Sequence, residues 1–143
     1  EQQNVIYEIL CKTKSSKICS MIKAKKMEDS FYIRLLLNNY KEDKYEEIHQ
    51  KIIKLKIDYS DSQHWFEVEN ELIEYFKRKT IDKRLLADLK YFLKNGLSST
   101  SRYEITKILE KYCMFSNEDI QFLAYDANDK IRKMFLGLKS KIE

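Results

Sequence analysis

Apolar residues recur along almost the whole chain at spacings of three and four, the period of an amphipathic helix. Val5, Ile6, Ile9 and Leu10 mark a first short helix, and Ser15 and Ser16 offer a cap for a second with Ile18, Cys19 and Ile22 inward. A third runs from Phe31 to about Tyr40; it is the most apolar stretch and is expected to be buried. Tyr45, Ile48, Ile52 and Leu55 mark a fourth, with charged residues between them. After the turn Asp58–Ser62, one helix face carries Trp65, Val68, Leu72, Tyr75 and Phe76. Leu85, Leu86, Leu89, Phe92 and Leu93 form the next stripe, stopped by Asn95-Gly96. The polar turn Ser98–Ser101 then leads to a helix with Ile105, Ile108, Leu109 and Tyr112. Ser116–Asp119 has the form of a capping box, with Asp at the fourth position. It opens a last helix of about five turns through Ile120, Leu123, Ala127, Ile131, Met134, Phe135 and Leu138, where Lys139 and Lys141 suit the helix dipole.

The pattern predicts an all-α fold, a right-handed bundle or array of about seven to eight helices in a single domain spanning 1–143. Composition strengthens it: the chain has no proline and only two glycines in 143 residues, far too little turn punctuation for a sheet protein. Hydrophobic residues at 43% allow a real core despite 35% charged residues. No apolar run approaches the roughly 18 residues of a membrane span, so no membrane association is expected. The polar opening Glu1-Gln2-Gln3-Asn4 does not resemble a secretory signal and lacks an initiator methionine, which reads as a fragment or a processed chain. Three cysteines without framework spacing suit a reducing intracellular compartment.

The net charge of +4 is unevenly placed. Lys77–Arg84 holds five basic residues and one acid, and the rest of the chain holds 22 of each sign. Such a turn invites an acidic partner, protein or nucleic acid, or it is simply a solvated loop. Candidate chemistry is sparse. His49 and His64 lie on charged or turn segments, no paired cysteines offer a zinc site, and no phosphate loop or nucleophile elbow is present. Cys113, at a helix end, is expected to be buried or half-buried. No catalysis, cofactor or metal is expected.

The stretch Trp65–Leu138 resembles the N-terminal domain of transcription factor IIS, the TND or LW domain. The resemblance is carried by Leu85–Leu93, Leu97–Thr100, Glu104–Tyr112, Ser116–Ala124 and Lys130–Phe135. The closing segment is also similar to the integrase-binding domain of the lens-epithelium-derived growth factor. Extra helices over 1–60, ahead of a core at 61–143, and the helix end Glu71–Phe76 look most like the branch of elongation factors that interact with the histone chaperone "suppressor of Ty six". The resemblance implies a nuclear, monomeric, non-enzymatic adaptor of transcription elongation, linked through its partner to RNA polymerase II. It would dock a short disordered segment of that chaperone, with apolar anchors and acidic flanks. By the same analogy the partner-binding residues are Lys77, Arg78, Lys79 and Arg84 on the basic turn, with Lys107, Lys111, Tyr112 and Phe115 on the helix before Ser116. Lys107 and Lys111 share a helix face, and Tyr112 and Phe115 would flank an anchor pocket. The alternatives are a nucleic-acid-binding module using the same turn, and a HEAT-like scaffold unrelated to the TND family.

Overall fold

Phe31 to Leu37 is apolar at every position but Arg34, so no side of this segment prefers water. It becomes the centre of the first half of the molecule. The computed structural model describes residues 2–23, 29–55, 62–96 and 98–139. Nine α-helices lie among them: α1 (Gln2–Lys12), α2 (Ser16–Lys23), α3 (Asp29–Asn38), α4 (Tyr45–Lys54), α5 (Gln63–Phe76), α6 (Leu86–Asn95), α7 (Ser99–Lys111), α8 (Asn117–Leu123) and α9 (Asp129–Lys139). Short 3-10 turns span Glu42–Lys44 and Lys83–Leu85. Among the described residues there is no strand, and no helix is long and apolar enough to cross a membrane. Most of the expected turn Asp58–Ser62, the side chains of Cys19, Ile22 and Lys139, and Lys141 lie outside the described residues. The chain divides into two compact units, Glu1–Asp88 and Leu89–Glu143, with the boundary inside α6.

In the first unit α3 packs against α1, α2, α4 and α5. Ile33, Leu35 and Leu37 are buried, as are Ile48 and Ile52 of α4 and Trp65, Val68 and Leu72 of α5. Burying such side chains contributes roughly 1.5–3 kcal/mol each. The stripes expected on α4 and α5 thus face inward. The one expected on α1 does not: Val5, Ile6 and Ile9 are 59%, 56% and 60% exposed. Glu8 and Cys11, on the opposite side of α1, face α3 instead. The Cys11 Sγ–H donates to the carbonyl of Phe31 at 3.5 Å, and burial pushes its thiol up to about 11. Glu8 accepts from the buried Arg34 guanidinium at 2.8 and 2.9 Å. A buried cation without a counter-ion is far costlier than three aliphatic side chains left in water, so Arg34 decides which side of α1 turns inward.

The second unit is built on Phe92, Ile105, Leu109, Leu123, Ile131 and Phe135, all buried, with α9 packed on α7 and α8. Its caps are local. Ser98 accepts from the Ser101 N–H at 3.3 Å, and both halves of the Ser116/Asp119 capping box are formed. The Asp119 carboxyl would be raised by burial, but the Lys90 ammonium and the Ser116 N–H and hydroxyl outweigh this and hold it at about 2. The expected five-turn closing helix is in fact two helices, α8 and α9, and Ala127 is exposed. Asp126 and Asn128 explain the break. Asp126 Oδ1 accepts from the Asn128 N–H at 2.8 Å, and Asn128 Oδ1 caps Lys130 N–H at 2.9 Å. Short polar side chains here outcompete the helical ladder.

α7 closes on a Schellman motif. Met114 N–H donates to the Leu109 carbonyl at 3.0 Å, and Cys113 N–H to that of Glu110 at 2.9 Å. The left-handed position is taken by Cys113, with φ of 54°, and the residue is exposed rather than buried or half-buried as expected. A side chain there costs roughly 1–2 kcal/mol, and glycine gives part of the relief back as backbone entropy. Cys113→Gly should therefore raise the unfolding free energy by about 0.5–1 kcal/mol in urea titrations. An equal or lower stability would mean that the backbone at this corner carries no strain.

Candidate functional site

Helix α3 ends at Asn38, and its last carbonyls need donors. Arg78, from the turn after α5, donates to the Leu37 carbonyl at 2.7 Å and reaches Asn38 Oδ1 at 3.4 Å. Asn39 donates to the carbonyls of Leu35 and Thr13 at 3.1 and 3.0 Å, and Asn38 to that of Cys11 at 2.7 Å. The end of α1, the end of α3 and the basic turn are thereby tied into one corner of the first unit.

The corner encloses a groove of about 450 Å³. Tyr40 and Tyr75 form its aromatic wall, with ring centroids 5.1 Å apart and the rings inclined at 61°. Ile81 adds an aliphatic surface, and Lys14, Lys41, Arg78 and the exposed Glu42 also line the groove. Asp82 fixes the wall. Its carboxylate accepts from the Tyr40 hydroxyl at 2.6 Å and from Arg84 Nε at 3.0 and 3.1 Å, while its own N–H donates to the Tyr75 hydroxyl at 2.7 Å. The Arg84 guanidinium, helped by Tyr40, overcomes burial and holds the Asp82 carboxyl well below the usual carboxylate range. Burial and the bond to Asp82 push the Tyr40 phenol well above its ordinary value. Both groups are thus locked in the forms that bond each other. Lys14 and Lys41 are exposed and make no ion pair among the described residues.

Of the eight residues expected to bind a partner, only Arg78 lines this groove. Arg78 is half-buried, stacks over the Tyr75 ring at 5.1 Å and lies 3.8 Å from Glu71. Arg84 is held by Asp82, donates to the Glu42 carbonyl at 3.0 Å and lies over the Tyr45 ring at 4.5 Å. Lys77 pairs with Glu74, and Lys79 is exposed without an ion pair among the described residues. The basic turn is therefore much less free to attract a partner than its local charge suggests, because three of its cations already have carboxylates. Lys107, Lys111, Tyr112 and Phe115 belong to the second unit. Lys107 pairs with Glu104 at 2.8 Å, and that carboxylate raises its ammonium above the ordinary value. The Lys111 ammonium lies 5.5 Å from the Tyr112 ring centroid, and half-buried Phe115 meets Phe135 edge-on at 4.9 Å.

The other groove residues carried no signal in the sequence. Asn38-Asn39-Tyr40-Lys41 reads locally as a helix end, and only its pairing with residues about forty positions away makes a site of it. The same is true of His49, whose Nδ1 lies 2.7 Å from Asp88 Oδ1 while its ring stacks on Tyr45 at 5.6 Å. Burial raises the Asp88 carboxyl and the His49 bond opposes it. Among the described residues no three His, Cys, Asp or Glu side chains converge as a metal site would require. No family model, curated protein or solved structure matches the chain.

Proposed function

We propose that the first unit is a docking module for a short, flexible protein segment bearing an aromatic or aliphatic anchor beside acidic residues. One observation carries this reading: Tyr40, Tyr75 and Ile81 share a groove with two exposed lysines, Lys14 and Lys41, that make no ion pair among the described residues, against one exposed carboxylate in the lining, Glu42. Its volume of about 450 Å³ lies in the lower part of the roughly 300–1,000 Å³ of ligand pockets, room for anchor side chains rather than a large cofactor. The interior anchors and the rim steers, the usual division between apolar and charged contacts at interfaces. The transcription-elongation setting, a nuclear location and a chaperone segment as ligand enter this proposal from the sequence resemblance of residues 65–138.

The test uses a fluorescein-labelled peptide with one phenylalanine flanked by aspartates and glutamates. Replacing Lys14 and Lys41 together by glutamate should lower its association rate about tenfold or more at low salt, with the gap closing at high salt. Ile81→Asp should instead speed dissociation. Arg78 and Arg84 are poor probes, because both hold the fold together. Peptide binding that ignores Lys14, Lys41 and Ile81 would remove the groove from the proposal.

A further inference from the structure

Among the described residues, eight large hydrophobic side chains are exposed, and the two aromatic ones sit together. Phe122, on the last turn of α8, and Tyr125, in the turn that follows it, are 68% and 71% exposed. They border a depression of about 370 Å³ that is also lined by Gly96, Ala127 and the ion pair of Arg102 with Asp126. Asn128, in the turn that follows, donates to the Ser99 carbonyl at 2.8 Å and so ties that turn to the start of α7.

Just beyond Asn128, cations gather on another ring. Lys130 of α9 places its ammonium 5.3 Å from the Tyr103 ring centroid, and Lys107 of α7 comes within 4.9 Å of the same centroid. The two ammonium groups therefore lie no more than 10.2 Å apart. Glu104 answers only Lys107, and Lys130 makes no ion pair among the described residues. Lys111, one turn further along α7 and about 6 Å away along its axis, is exposed and equally without a carboxylate there. Cations gathered on one ring, only one of them answered by a carboxylate among the described residues, make a local positive potential that an anion can answer. A row of three asks for a polyanion rather than a single anion. The chain from Leu89 onward, with ten basic and seven acidic residues, favours the same sign of partner.

We propose that this face of the second unit binds single-stranded nucleic acid, with Phe122 and Tyr125 stacking bases and Lys107, Lys111 and Lys130 meeting phosphates. A single strand offers a flat, unstacked ring and a charge at every step of its backbone, which suits two exposed rings and several cations. An acidic peptide is the rival occupant, which the displacement experiment below separates. Exposed rings beside a cationic track are the means by which sequence-tolerant single-strand binders work. A duplex keeps its bases stacked on one another and has no use for the two rings.

The experiment measures fluorescence anisotropy of labelled oligouridylate and oligothymidylate, and of a duplex of equal length, with the whole chain over a salt series. Phe122→Ala with Tyr125→Ala, and Lys107→Gln with Lys111→Gln and Lys130→Gln, change exposed side chains, and circular dichroism melts verify that each variant folds. The wild type should prefer the single strands. The lysine variant should lose at least tenfold at low salt and flatten the log–log salt slope by about two, at about 0.7 per phosphate contact. The ring variant should lose at least tenfold with its slope unchanged. Glutamates at Lys14 and Lys41 should leave oligonucleotide affinity within a few-fold, which separates this face from the groove of the first unit. Equal affinity for duplex, no binding at low salt, or a ring variant that binds as the wild type does would each overturn the proposal. So would displacement of the oligonucleotides by an acidic peptide at lower concentration than by unlabelled single strand, since that would mark the face as a protein site.

Discussion

Arg34→Met will lower the unfolding free energy by about 1–3 kcal/mol at neutral pH, the usual cost of losing hydrogen bonds to charged groups and leaving their partly exposed carboxylates unpaired. Arg34 is 6% exposed at the centre of α3 and bonds Glu8 of α1 and Glu67 of α5, each at 2.8 Å. Methionine fills much of the same volume, so the loss comes from two carboxylates left facing an apolar helix rather than from a cavity. The pH dependence identifies the cause. The Arg34 guanidinium holds the Glu8 carboxyl below its ordinary value, against the opposing effect of burial. A depressed carboxyl contributes stability above its unfolded pKa near 4.5 and loses it as the pH falls. The variant lacks that contribution, so the gap between the two proteins should narrow in urea titrations below that pH. Adding Glu8→Gln and Glu67→Gln to Arg34→Met should recover a large part of the loss, because the unpaired charges are gone. A deficit that persists unchanged in acid, or in the triple variant, would mean that Arg34 acts by packing alone.

Asp82→Ala will cost about 2 kcal/mol, from a lost 3-10 cap and lost charge-assisted hydrogen bonds, and will also weaken peptide binding. The carboxylate is the shared acceptor for the Tyr40 hydroxyl, the Arg84 N–H and the Arg84 guanidinium. Without it the Tyr40 ring loses its tether and the aromatic wall of the groove loosens. Since Arg84 holds the Asp82 carboxyl far below its ordinary value, its contribution is full above the ordinary aspartate range near pH 4 and is lost as the pH falls. Wild-type melting temperature should therefore fall from about pH 5 downward, and the variant should fall less steeply. The slope will not vanish, because Asp119 is held at about 2 by Lys90 and Ser116 and titrates in the same window. Parallel melting curves for the two proteins across that range would refute the tether.

Helix positions and caps needed nothing beyond neighbours in the chain. The stripes Trp65–Phe76 and Leu85–Leu93 are buried as their spacing predicts. Ser98 and the Ser116/Asp119 pair cap the helices they precede. Each follows from interactions between residues three or four apart, whose geometry the helix itself supplies. Spacing failed where two local preferences compete. Residues 117–138 carry a helical apolar period, yet Asp126 and Asn128 break it with hydrogen bonds of their own.

The groove was not legible because its parts lie far apart in the chain. Lys14, Tyr40, Tyr75 and Asp82 become neighbours only when α3 packs on α1 and α5. The basic turn shows the same limit from the other side. Its excess charge is plain in the sequence, but carboxylates on α5 and at Asp82 claim Lys77, Arg78 and Arg84.

Amino-acid order alone determined that this chain is helical, where several helices are capped, and which residues share most helix faces, since hydrogen bonds and side-chain spacing within a few residues decide those things. Tertiary structure decided which face of α1 turns inward, which cations remain free, and where a groove opens. Those outcomes turn on burial and on counter-ions: a charge such as that of Arg34 must be paired once water is excluded, and its partners stand 26 and 33 positions away.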